Sequence, residues 1–175
     1  MNRTARSSDE FWDMKRAVVI EHVSLEIKSS FDQFTYQLEK ALGILMPVEL
    51  RSLGAAPAST SCYLNSTCNE NNLMIYSIMS LEDLPQKERY KKAKQYQLGN
   101  PDIMGRMINN HTGAGLYVPI HLLVYENEQQ KVIVEYDLLS SQCAQFNNAA
   151  LFSDSILLEN NLIILIQQAD NSTDN

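Results

Sequence analysis

The chain has 175 residues, a length that suits one domain with a sizeable core. Hydrophobic residues make up 45% and charged residues 20%, which excludes the low-hydrophobicity, high-charge class of disordered chains. A net charge of −7 and a pI near 4.9 disfavour non-specific binding to nucleic acid or anionic membrane, since phosphates reward clustered Lys and Arg.

Residues 1–16 are polar and aperiodic, and a flexible arm is expected there, with Phe11 and Trp12 available to dock on the body. The apolar run Ala17–Ile20 is too short for a signal peptide and follows the charged Asp13, Lys15 and Arg16. A strand is expected over Ala17–Lys28, with Val23, Leu25 and Ile27 on one face and His22, Ser24 and Glu26 on the other. Ser30 and Gln33 form a capping-box pattern ahead of Phe31, Phe34, Leu38, Ala41, Leu42 and Leu45, which recur at helical spacing. Gly43 or Pro47 is expected to end that helix. Residues 54–72 lack any pattern and read as a loop.

Leu73–Met79 reads as a strand apolar on both faces, and Tyr90–Leu98 as another. Asn100-Pro101-Asp102 opens a helix: Asn caps, Pro fits the first position and Asp suits the first turn. The helix is expected to run to about Asn110, with Gly113 or Gly115 stopping it. Val118–Glu126 and Lys131–Asp137 read as a hairpin, followed by a polar loop. The last element, Ala149–Gln168, reads as a helix with an apolar face of Phe152, Ile156, Leu157, Ile163 and Ile166. Residues 170–175 are expected to be a flexible tail after a domain spanning 17–169. The order of elements argues for an α+β fold, an antiparallel sheet of about five strands with helices packed on it. Strands and a helix that are apolar on more than one face suggest a homodimer. The longest uninterrupted apolar run, Leu162–Ile166, has five residues, short of the ~20 that span a membrane.

Three cysteines make no disulfide framework, and Cys62 and Cys68 are spaced too widely for a zinc knuckle. Isolated thiols fit a reducing, cytoplasmic setting. The sequons at Asn2, Asn65, Asn110 and Asn171 are then chance matches. The methionines at 74, 79, 104 and 107 read as core packing.

The segments KAKQYQLGNP, MGRM, GAGLYVP and VYENEQQKVIVEYDLLSSQCAQF, within Lys91–Phe146, resemble the domain of unknown function 302 family. A weaker likeness extends over IEHVSLEIKSSFDQFTYQLEKALG and LMIYSIMSLEDL, so that most of residues 18–168 is covered and 47–72 is not. The resemblance implies an antiparallel sheet of about five strands with a long C-terminal helix, often dimeric, and no established activity. The chain departs from the family's pattern at Leu139, at Cys143 and Ala144, and at 87–90.

Two regions offer chemistry. The basic run KERYKKAK holds Lys87, Arg89, Lys91, Lys92 and Lys94 and leads to a helix N-terminus, an arrangement that can hold an anion. Tyr90, Lys92, Lys94 and Tyr96 share a face. The plain alternative is a solvated edge strand guarded by lysines. The second region is the polar cluster Tyr136, Asp137, Ser140, Ser141 and Gln145 after the last strand, suited to a small polar ligand or to a structural turn. Together with Asn100, His111 and Tyr117, these residues and Lys92, Lys94 and Tyr96 form the candidate ligand set. An enzyme pairing Asp137, Ser140, Ser141 or Cys143 with His111 or His121 finds no supporting motif. His22, His111, His121 and the cysteines lack ligand-like spacing, so no metal and no cofactor is expected. The leading expectation is a non-catalytic, homodimeric module that binds a small ligand, with anions among the candidates, or a protein. An enzyme and a purely structural homodimeric assembly domain are the alternatives.

Overall fold

The computed structural model describes residues 16–44, 73–83 and 92–172. Most of the expected arm, the 54–72 loop with Cys62 and Cys68, and Lys87, Arg89, Tyr90 and Lys91 lie outside the described residues.

The hairpin is the centre of the sheet. Strands β5 (Ile120–Glu126) and β6 (Val132–Asp137) alternate buried and half-exposed side chains, the period-two pattern of strands covered on one face. Asn127 closes the turn: its Oδ1 accepts from the N–H groups of Gln129 and Lys131, and Gln130 adopts the left-handed conformation at φ 63°. Strand β1 (His22–Ile27) pairs with β6, β4 (Ala93–Gly99) with β5, and β3 (Met74–Ser80) with β4, all antiparallel. A two-residue β2 (Gly43–Ile44) adds a parallel edge to β3, giving the order β1-β6-β5-β4-β3-β2. The α+β arrangement with five antiparallel strands is therefore present. Strand β1 is shorter than expected because its partner ends: His22 faces Asp137, and the next N–H along, that of Leu138, donates to the Glu21 carbonyl.

Helix α1 (Phe31–Ala41) starts as its sequence predicts, with Ser30 Oγ accepting from the Gln33 N–H. The Gln33 amide donates instead to the Ser172 carbonyl, so it ties α1 to the end of the chain. Leu42 then turns extended and feeds β2, which ends the helix two residues ahead of Gly43. Helix α2 (Pro101–Asn110) ends at an extended His111, before the expected glycines, and a 3-10 turn over Thr112–Leu116 uses them. The expected polar loop after β6 is helical: α3 (Leu139–Cys143) is followed by a 3-10 turn at Ala144–Phe146.

Helix α4 (Ala149–Asn171) runs past the expected domain end, and Asp170 is no part of a loose tail: its Oδ1 accepts from the N–H groups of Lys28 and Ser29. Its apolar face differs from the expected one. Leu151, Leu158, Leu162, Leu165, Ile166 and Ala169 are buried, whereas Phe152, Ile156, Leu157 and Ile163 are exposed. The run Leu162–Ile166 supplies apolar residues around the whole helix, so periodicity alone does not select a face. Met79 is likewise exposed, on β3, while Met74 and Met107 are buried. Helix α4 packs against α1, α2 and α3 on one side of the sheet. By length and composition it is also apolar enough to cross a membrane, a property hidden by counting uninterrupted runs; 39% of its most apolar window is buried in the fold. The opposite sheet face carries His22, Ser24, Gln97, His121, Tyr125 and Glu135, exposed or half-buried.

Candidate ligand-binding site

Lys94 of β4 and Lys92 just before it point towards α1, and α1 answers them. Lys92 pairs with Asp32, whose hydrogen bond raises the ammonium pKa, and lies 5.7 Å over the Phe31 ring. Lys94 Nζ lies 2.8 Å from Glu39 Oε1, which also accepts from the Tyr96 hydroxyl at 2.8 Å. Tyr96 is fully buried, and burial, with the Glu39 carboxylate second, holds its phenol well above the ordinary range. Asp32 and Glu39 stand seven residues apart on one helix face, opposite two lysines alternating along a strand. An anion here must displace a carboxylate from each lysine. Asn100 is committed too, its Oδ1 accepting from the Ile103 N–H at 3.0 Å.

The segment after β6 is held from within. Tyr136 is buried, its phenol pKa raised by burial and then by Glu159. Ser140 is buried with its N–H donating to Glu159 Oε1 at 2.5 Å. Ser141 Oγ donates to the Leu138 carbonyl and accepts the Glu21 N–H. Cys143 is 1% exposed, and burial pushes its thiol up to about 11, with Glu159 adding to the effect. His111 Nδ1 accepts from the Gly113 N–H, and its ring lies 4.1 Å from that of Phe146. Ser140 and Cys143 are thus buried, while the Ser141 hydroxyl and His111 Nδ1 each hold a local backbone bond.

Between the 3-10 turn, the start of β5 and the end of β6 lies a recess of about 90 Å³. Leu116, Pro119 (after a cis peptide bond) and Ile120 supply apolar lining; Tyr117, His121, Asp137 and Gln142 supply polar groups. The Gln145 amide donates to the Tyr117 hydroxyl at 2.7 Å, while Arg16 donates to the Gln145 carbonyl oxygens. Asp137 Oδ1 lies 2.7 Å from His22 Nδ1, and His121 Nε2 lies 3.0 Å from the Gln97 amide. The structure therefore brings Tyr117, Asp137 and Gln145 together. It keeps them apart from Lys92, Lys94 and Tyr96, which face the helices on the other side of the sheet.

The sequence pattern of the domain of unknown function DUF302 matches residues 64–168. This chain belongs to the DUF302 family. A crystal structure of an uncharacterized conserved DUF302 protein from Bacillus stearothermophilus has a similar fold, with a TM-score of 0.61 at 14% identity, over 85% of this chain and 97% of that one. No curated protein matches the chain. All seven residues lining the recess fall inside the DUF302 match, whereas α1, with the acids that neutralise β4, lies before it.

Five of the seven residues lining the DUF302 recess had no place in the sequence-derived ligand set: Leu116, Pro119, Ile120, His121 and Gln142. His121 was legible as a polar side chain on the open face of an alternating strand. Gln142 carried no signal, since its approach to β5 depends on α3 being a helix.

Proposed function

We propose that this DUF302 protein is a non-catalytic module that binds a small polar ligand in the recess beside Asp137 and works as a homodimer. The observation that carries the ligand reading is the recess itself, where a carboxylate, an imidazole, an amide and a phenol converge over an apolar lining. The engaged hydroxyl of Ser141, the burial of Ser140 and the buried, high-pKa Cys143 support binding over nucleophilic catalysis. Asp137 favours a hydrogen-bond donor, neutral or cationic. The anionic class suggested by the basic run loses support, because Lys92 and Lys94 are each paired with a carboxylate.

Titration of the ¹⁵N-labelled protein with ethylamine, acetamide and inorganic phosphate tests this. Ethylamine is expected to shift the amides of Tyr117, His121 and Gln142, and Asp137→Asn to weaken it about tenfold, the loss of one charge-assisted hydrogen bond. Phosphate shifts centred on Lys92 and Lys94, with the recess silent, would refute the assignment.

A further inference from the structure

The charged side chains of α4 are Asp154, Glu159 and Asp170, and each is turned to the body of the protein. Asp154 pairs with Arg106 at 2.7 Å, Glu159 takes the Ser140 N–H, and Asp170 takes the backbone of Lys28 and Ser29. The outward face is left without charge, although the chain as a whole carries −7. In an ordinary surface helix the charges face solvent and the apolar residues face the core. Here a second apolar stripe faces outward: Phe152, Ile156, Leu157, Ile163 and Ile164 are 36–47% exposed.

That stripe has an internal symmetry. Ile156 and Leu157 precede the exposed Asn160 by four and three residues, and Ile163 and Ile164 follow it by three and four. A two-fold axis through Asn160, perpendicular to the helix, would bring Ile156 of one copy onto Ile164 of the other, and Leu157 onto Ile163. The carboxamide of Asn160 carries both donor and acceptor groups, so it can pair with its own copy at the axis. A polar residue in the middle of an apolar seam also fixes register.

We infer that the outward face of α4 is an isologous dimer interface in which two copies pack antiparallel helices about Asn160. The inference deepens the homodimer part of the proposed function and rests on it. A second copy fits better than an unrelated partner for two reasons. The placement of the apolar residues is self-complementary, and the charge-free face is where two molecules of −7 meet with least repulsion. The stripe offers on the order of 400 Å² of apolar surface per copy, about half of what each side of a standard interface buries. An interface of that size belongs to the weak, transient class.

Sedimentation equilibrium of the full chain across roughly 1–100 µM, where weak association shows as a shift in mass, is the test. The wild type is expected to dimerise and the double variant Ile156→Glu, Ile163→Glu to weaken the dimer by about 100-fold or more, because each charge is buried beside apolar residues. A wild type that stays monomeric overturns both this interface and the homodimer reading. A wild-type dimer that the double variant leaves equally tight overturns the α4 face alone. Should the double variant lose its native circular dichroism, Asn160→Cys in a Cys62→Ser, Cys68→Ser background decides: oxidation is expected to give a covalent dimer, and a dimeric protein that does not cross-link overturns the proposed axis. A monomer that floats with phosphatidylcholine vesicles would reassign the stripe to lipid.

Discussion

Cys143 and Glu159 show how one buried carboxylate organises its neighbours. Glu159 is 5% exposed and reaches the N–H of Ser140 at the start of α3, so it satisfies a helix end that has no cap of its own. The same carboxylate adds to the burial that raises the Cys143 thiol. The consequence for stability has a definite sign. A thiol raised from 9.0 to about 11 keeps its proton in the folded state after the unfolded chain has lost it. Folding stability is then fully present below pH 9.0 and declines as pH rises through about 11, because the folded state binds more protons there. Tyr96, Tyr125 and Tyr136, whose phenols are also raised, first of all by burial, act in the same direction. Urea midpoints are expected to fall between pH 8 and pH 10.5, less steeply in Cys143→Ala, which lacks the raised thiol. Equal slopes for the two proteins would refute the assignment of this loss to Cys143.

Among the elements, the helix starts are the most literal translation of sequence into structure. Ser30, Asn100 and Asn148 each accept the N–H three residues on, from Gln33, Ile103 and Leu151. Their environments differ: Ser30 is exposed with a 3.4 Å bond, whereas Asn100 is buried with a 3.0 Å bond. Replacement of either by Ala is expected to cost ~0.5–2 kcal/mol, with Ser30→Ala at the low end and Asn100→Ala at the high end, since a buried donor left without its acceptor cannot turn to water. Denaturant unfolding of the two variants checks the order; a larger loss at Ser30 would contradict it. The helix ends and the outward face of α4 were harder to read. His111 turns extended at the end of α2, and its ring lies against that of Phe146, 35 residues away along the chain. The face of α4 was misassigned because both of its sides are apolar, and the buried side is selected by where Asp154, Glu159 and Asp170 find partners.

At the scale of the whole molecule, the helices among the described residues share one side of the sheet and the recess opens at its end. A one-sided sheet with a doubly apolar covering helix has unfinished business at that helix, and assembly would complete it. If two copies associate through α4, mass action couples stability to concentration. The melting temperature of the wild type is then expected to rise by several degrees between low and high micromolar protein, and that of Ile156→Glu, Ile163→Glu to stay constant. A wild-type melting temperature independent of concentration would count against association in the folded state.

The sequence by itself determined the class of fold, the hairpin, the starts of α1 and α2, and the membership of one family. These depend on local signals: period-two alternation, capping side chains and a linear pattern of residues, each readable within a dozen positions. Tertiary structure decided the rest. The basic strand looked like an anion site until α1 placed Asp32 and Glu39 against Lys92 and Lys94, from about 60 residues away. Tyr117, Asp137 and Gln145 were all visible as polar side chains, but only the approach of the 3-10 turn to the ends of β5 and β6 put Tyr117 and Asp137 in one recess, with Gln145 bonded to Tyr117. Electrostatic pairing and concavity are properties of groups brought together across the chain, and no local pattern encodes them.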